Sequence, residues 1–147
     1  FYLITYNNSD NFGDYYIKQI NKFIKENDNA CLFEFMGAKN YLSFLKHSDL
    51  IIGNSSSGIY EAPELKTPTL NIGNRQLGRK HSSSVINVVN EEKKILAALK
   101  KIKQNKKKIR FDNIYYKKDT CKKIYFQLLK ILKYKNHDKK FYDLKSK

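Results

Sequence analysis

Residues 50–63 read Leu-Ile-Ile-Gly-Asn-Ser-Ser-Ser-Gly-Ile-Tyr-Glu-Ala-Pro, and this stretch decides the fold. Its first three residues form a short apolar run that is typical of a buried strand. Small polar residues follow up to Gly58, and residues 59–65 then predict a short helix. A buried strand that runs through a tight turn into a helix is the building unit of a parallel sheet.

The rest of the chain alternates in the same way. Apolar runs predict strands at residues 1–6, 30–35, 50–52, 69–72 and 84–89, and helical spacing predicts helices at 13–26, 41–45, 59–65, 91–102 and 118–134. The pattern predicts an α/β fold, a Rossmann-like parallel sheet with helices on both faces, which binds ligands at the carboxyl ends of its strands. We expect one domain over residues 1–134 and a polar tail over 135–147. In the last helix, Ile124, Leu128, Ile131 and Leu132 are expected to face a core.

The turn after the strand at residues 50–52 has the chemistry of a phosphate site. Ser55, Ser56 and Ser57 offer hydroxyl donors, and the first turn of a helix leaves backbone N–H groups unpaired beside its positive end. Gly58 lets a phosphate approach the backbone closely. No Gly-Lys-Ser/Thr follows, so this is not a Walker loop. The alternative is that Ser57 only caps the helix.

Three further side chains are candidates for the same site. Glu61 can accept two hydrogen bonds side by side, which suits the vicinal hydroxyls of a ribose, although a capping-box role is the alternative. Arg75 follows a strand end in a glycine-bearing loop and suits bidentate contact with phosphate, or else an ion pair that closes the loop. Tyr41 can stack on a nucleobase, although an aromatic residue at helical spacing more often belongs to the core.

Composition narrows the function further. The 147 residues are 41% hydrophobic and include two cysteines, and Cys31 and Cys121 form no CxxC pair. The three histidines are isolated, so we predict no metal and no cofactor. No apolar run approaches the roughly 20 residues that span a bilayer, and we expect a cytoplasmic protein with no membrane partner. Because the chain lacks an initiating Met and begins inside a predicted strand, we expect it to be part of a longer protein.

The net charge of +15 permits a nucleic-acid-binding module. The excess is lysine, it is concentrated after residue 100, and no nucleic-acid motif accompanies it. A lysine-rich solvated surface is the interpretation we favour, and nucleic acid is not the expected partner.

Two motifs carry a resemblance to a known family. Residues 53–63, followed by Pro-Thr-Leu-Asn-Ile-Gly-Asn-Arg-Gln-Leu-Gly-Arg at 68–79, closely resemble the UDP-N-acetylglucosamine 2-epimerase family, in the hydrolysing branch that feeds sialic-acid-type sugar synthesis. The similarity extends more weakly from Phe1 to about Ile102. It implies the C-terminal half of a two-lobed, glycosyltransferase-B-like enzyme. The C-terminal lobe of a glycosyltransferase is an alternative that uses the same kind of nucleotide site.

The resemblance also implies roles for individual residues. Ser55 and Ser56 would contact the diphosphate of a UDP-sugar, Glu61 its ribose, Arg75 the UDP site and Tyr41 the uracil ring. The implied reaction eliminates UDP and adds water with inversion at C2, giving an N-acetylmannosamine-type sugar. Most acid–base groups would come from the missing N-terminal lobe, so this chain is expected to be inactive alone.

The loop after the first strand departs from the family. Relatives often carry a histidine where this chain has Asn7, and Asp10 is the remaining catalytic candidate here. Relatives are commonly dimers, so the resemblance implies a homo-oligomer for the full-length protein.

Overall fold

The structure is a computed structural model that describes residues 1–6, 13–112 and 114–133. It has two compact units, Phe1–Ile114 and a second unit that begins at Tyr115. The first unit contains, in chain order, β1 (Tyr2–Thr5), α1 (Gly13–Glu26), β2 (Ala30–Phe33), α2 (Gly37–His47), β3 (Ile51–Gly53), α3 (Ser57–Tyr60), β4 (Thr69–Ile72), β5 (Val85–Val88), α4 (Glu92–Asn105) and a 3-10 turn (Lys106–Lys108). The second unit contains α5 (Thr120–Leu132).

Every strand pairing in the described residues is parallel, so the predicted α/β class is confirmed. Backbone hydrogen bonds group the strands into two ladders, one of β1 with β2 and one in the order β3-β4-β5. In the second ladder Gly53 aligns with Asn71 and Asn71 with Asn87. These residues lie at the carboxyl ends of the strands, where a parallel sheet binds its ligands.

Part of the buried core of the first unit lies between α3 and β4. Ile59 is 1% exposed and Leu70 is fully buried, and burying such a side chain contributes about 1.5–3 kcal/mol. Gly58 makes the close approach possible, because an added Cβ would lie 2.5 Å from Cγ2 of Thr69. The hydroxyl of Thr69 donates to the carbonyl of Gly58 over 2.8 Å, and this hydrogen bond also holds α3 against β4.

Helix α3 is shorter than predicted and begins earlier. The sequence pattern predicts a helix over 59–65, whereas the structure has Ser57–Tyr60 followed by a turn. Pro63 has no N–H to donate to the carbonyl of Ile59, and it disfavours helical backbone at the residue before it. Since the macrodipole of a single turn is small, anion binding here has to rest on individual N–H and O–H donors.

The second unit corrects the prediction for the last helix. Its apolar residues do not face a core, since Ile124, Leu128, Ile131 and Leu132 are 53%, 52%, 50% and 73% exposed. Helical periodicity identifies an apolar face but not what covers it, which is why the sequence alone misled here. The predicted end of this helix at residue 134 and the tail 135–147 lie outside the described residues. Across the described ranges, no helix combines the length and the apolar character required to cross a membrane.

Candidate functional site

The turn between β3 and α3 begins at Gly53, whose φ of 140° suits glycine alone. The Oγ of Ser55 accepts a hydrogen bond from the N–H of Ser57 over 3.3 Å. The N-cap position belongs to Ser56, whose side chain makes no capping bond, so the alternative in which Ser57 caps the helix is wrong. No described residue accepts a hydrogen bond from the N–H of Ser55 or of Ser56. Both serines are exposed, which leaves backbone donors and hydroxyls available to an anion.

A second element reaches this turn from helix α2. The phenol of Tyr41 donates to Oγ of Ser57 over 2.7 Å, and both residues are half-buried. The Ser57 hydroxyl that accepts this bond must point its own proton elsewhere. The hydroxyl of Tyr41 is thus fixed to the turn over residues 53–57, which we call the serine turn. Tyr41 is therefore neither an aromatic residue that only packs in the core nor an isolated stacking surface.

Tyr41 also lines a cleft of about 270 Å³ at the carboxyl ends of β1 and β2. The other lining residues are Thr5, Phe33, Glu34, Phe35, Met36, Gly37 and Ala38. Helix α2 begins here at Gly37, and no side chain caps its first turn. The cleft therefore combines apolar and aromatic walls with uncapped backbone N–H groups, which suits a flat ring with polar edges.

The loop over residues 73–79 is fastened beside the serine turn at two points. Nε2 of Gln76 donates to the carbonyl of Asn54 over 2.7 Å. The guanidinium carbon of Arg79 lies 5.5 Å from the centre of the Tyr60 ring, within the range of a cation–π contact. Arg75 directly precedes Gln76 and is exposed. Gly78 has a φ of 81° and occupies the third position of the turn that Arg79 N–H closes onto the carbonyl of Gln76.

A polar network continues along the same edge of the sheet. The buried Asn71 amide donates to Oδ1 of Asn87 over 2.8 Å, and Nδ2 of Asn87 lies 2.9 Å from Nε2 of His81. Nδ1 of His81 lies 3.1 Å from the carbonyl of Ser82. These contacts suit the tautomer with its proton on Nδ1. His81 is exposed and is held against β5 through its contact with Asn87.

Asp112 ties the end of the first unit to the start of β5. Its Oδ1 accepts hydrogen bonds from the N–H and Oγ of Ser83 and, over 3.1 Å, from Oγ of Ser82. The hydroxyl and the N–H of Ser83 lower the pKa of this carboxyl from 3.8 to about 2. Sequence reasoning missed this residue, because nothing local connects positions 30 residues apart.

The remaining predicted site residues are placed as follows. Glu61 directly follows α3 and is exposed; its backbone bonds to Ser57 and Leu65, but its carboxylate makes no hydrogen bond or ion pair with any described residue. Gly58 is buried against β4, so its missing side chain serves the helix–sheet packing; the predicted role in phosphate approach stays a prediction. Asn7 and Asp10 lie outside the described residues. Gln76 was not predicted, and its only local signal is its place beside Arg75.

Together these features define a parallel α/β unit with a serine turn, an aromatic cleft and an arginine loop at one edge. A family model described as UDP-N-acetylglucosamine 2-epimerase matches residues 2–129. The chain belongs to the UDP-N-acetylglucosamine 2-epimerase family, as its two motifs indicated.

Individual relatives agree with this assignment. The chain is 36% identical over 142 residues to the "Polysialic acid biosynthesis protein P7" of Escherichia coli, covering 93% of this chain and 36% of that protein. It is 34% identical over 125 residues to the "UDP-N,N'-diacetylbacillosamine 2-epimerase (hydrolyzing)" of Legionella pneumophila, covering 85% of this chain and 32% of that protein. A Campylobacter jejuni protein named "GDP/UDP-N,N'-diacetylbacillosamine 2-epimerase (hydrolyzing)" is 48% identical over 62 residues, which are 42% of this chain and 16% of that protein. The chain thus spans about a third or less of the length of these relatives.

Proposed function

We propose that this chain is the UDP-binding lobe of a hydrolysing 2-epimerase that acts on a UDP-linked 2-acetamido sugar. The observation that carries the proposal is the hydrogen bond from Tyr41 to Ser57, because it joins the aromatic cleft to the serine turn. A nucleoside diphosphate needs such a pair of adjoining sites, one for a flat base and one for a chain of anionic oxygens.

The base lies in the cleft beside Tyr41 in this proposal. Its ring packs on the aromatic wall, and its polar edge meets the backbone groups at the start of α2. Stacking on an aromatic side chain contributes about 1–3 kcal/mol per base. The backbone donors supply the orientation that stacking lacks.

The diphosphate lies across the serine turn. Its oxygens accept hydrogen bonds from the N–H groups and hydroxyls of Ser55, Ser56 and Ser57, and the guanidinium of Arg75 neutralises its charge. Glu61 accepts from the two ribose hydroxyls. During elimination the leaving diphosphate gains negative charge, and fixed donors of this kind stabilise that charge most effectively.

For the whole enzyme, we propose release of UDP and an N-acetylmannosamine-type sugar. The names of the relatives from Legionella and Campylobacter support the hydrolysing class. Residues 1–134 supply the nucleotide-binding lobe, and a second lobe supplies most acid–base groups, so this chain alone is inactive. The full-length enzyme is a cytoplasmic homo-oligomer in this proposal.

The test is calorimetric titration of the chain with UDP, with CMP and inorganic pyrophosphate as matched ligands. Selective UDP binding that is lost in Glu61→Ala supports the proposal. Glu92→Gln, an exposed change on α4, is the control and leaves the affinity unchanged. Equal binding of all three ligands, weakening together with salt, would contradict it.

A further inference from the structure

In the loop over residues 73–79, which we call the arginine loop, a polar residue is buried while its apolar neighbour is exposed. Gln76 is 5% exposed, whereas Leu77 is 85% exposed. A loop selected only for stability would bury the leucine and leave the amide in water. The backbone of this loop is thus arranged to hold the glutamine inside.

The buried amide of Gln76 is only half satisfied. Its Nε2 donates to the carbonyl of Asn54, but its Oε1 is buried and has no hydrogen-bond partner among the described residues. A buried acceptor without a partner destabilises a fold, and native proteins retain such groups mainly at functional sites. The donor Nε2 is therefore the part of this side chain that makes a structural contact.

We propose that Gln76 is a positioning residue that sets Arg75 against the diphosphate. Asn54 immediately precedes the serine turn, so the hydrogen bond fixes the loop to the turn itself. The Cα of Arg75 is one peptide unit from that of Gln76, about 3.8 Å away, and its place relative to the turn is set by this bond. The contact of Arg79 with Tyr60 holds the far end of the same loop.

This inference rests on the proposed UDP site and makes a separate prediction. Without the hydrogen bond from Gln76, the loop is free to move. Binding of a phosphate by the Arg75 guanidinium must then also order the loop, and the lost conformational entropy weakens the affinity. The cost affects ligands that carry the diphosphate and spares uridine, which carries none. It also disappears once Arg75 has been removed.

The test is a double-mutant cycle on UDP affinity with Gln76→Met and Arg75→Ala. Gln76→Met keeps the side-chain length and removes both the donor and the acceptor of the amide. We expect it to weaken UDP about 5- to 10-fold, to leave uridine binding unchanged, and to leave the urea midpoint of unfolding unchanged. In the Arg75→Ala background, the same change has no further effect on UDP. Leu77→Ala, in the same loop, is the matched control and changes neither affinity.

The possible results distinguish the positioning role of Gln76 from the proposed UDP site itself. An equal loss in both backgrounds, or an equal loss for uridine, would overturn the positioning role while leaving the UDP site intact. A parent chain that binds no UDP would instead overturn the proposed function. If Gln76→Met does not fold, Gln76→Leu replaces it, because it also removes the donor and places no charge in the buried position.

Discussion

The phenol of Tyr41 donates a hydrogen bond to Oγ of Ser57 over 2.7 Å, and so ties helix α2 to the first residue of helix α3. The same residue thereby contacts both halves of the proposed nucleotide site, since it lines the cleft and its hydroxyl bonds to the serine turn. The bond also orients the Ser57 proton away from Tyr41, which leaves it free to donate to a phosphate oxygen.

The first prediction separates the ring of Tyr41 from its hydroxyl. Tyr41→Phe keeps the aromatic wall and removes the bond to Ser57, so uridine affinity should be unchanged while UDP affinity falls about 2- to 10-fold, equivalent to about 0.5–1.5 kcal/mol. Calorimetry with both ligands measures this. In the Ser57→Ala background, Tyr41→Phe should have little further effect, and full additivity of the two changes would refute the coupling.

Much of this site was predictable because it is local in sequence. Ser55 to Glu61 lie within one strand-turn-helix unit, and an apolar strand followed by small polar residues already indicates a ligand site at a sheet edge. The expectation that this strand is buried was wrong, because Ile52 is 49% exposed. The bond between Tyr41 and Ser57, the burial of Gln76 and the contacts of Asp112 depend on tertiary placement. No local pattern encodes them. The length of α3 was mispredicted for a different reason, since its apolar spacing outweighed the local effect of Pro63.

The second prediction concerns the close packing of Gly58. Gly58→Ala places a methyl group 2.5 Å from Cγ2 of Thr69, and overpacking of this kind costs about 1–3 kcal/mol of unfolding free energy. Urea unfolding followed by circular dichroism measures the loss. Thr69→Ser removes the clashing methyl and keeps the hydroxyl that bonds to Gly58. The double variant should regain part of the stability, and an absence of rescue would show that the loss has another origin.

The third prediction follows from Asp112. Its carboxyl has a pKa of about 2 in the folded chain and an ordinary value of 3.8, so the ionised form favours the folded state. This stabilisation is complete above 3.8 and is lost as the pH falls through that value toward 2. Asp112→Asn should therefore destabilise the chain at neutral pH, and the gap from the parent should narrow on acidification.

Thermal unfolding at several pH values tests this third prediction. Asp28→Asn, at an exposed loop position, is the matched control and should unfold as the parent does at each pH. A gap between Asp112→Asn and the parent that stays constant down to pH 2 would mean that the hydrogen bonds of Asp112 to Ser82 and Ser83 do not depend on its charge.

The last prediction separates the nucleotide site from the general basic charge. The chain carries a net +15, and Lys107 and Lys108 are exposed on the 3-10 turn that follows α4. Replacing both by glutamine should leave UDP affinity unchanged and reduce the affinity for a single-stranded oligonucleotide. Such binding depends on the number of phosphates that lysines neutralise, and it falls steeply with salt. Titrations at about 50 and about 200 mM NaCl measure the affinity for both ligands. If UDP and the oligonucleotide weaken in parallel on lysine replacement, the lysine surface rather than the serine turn binds the nucleotide.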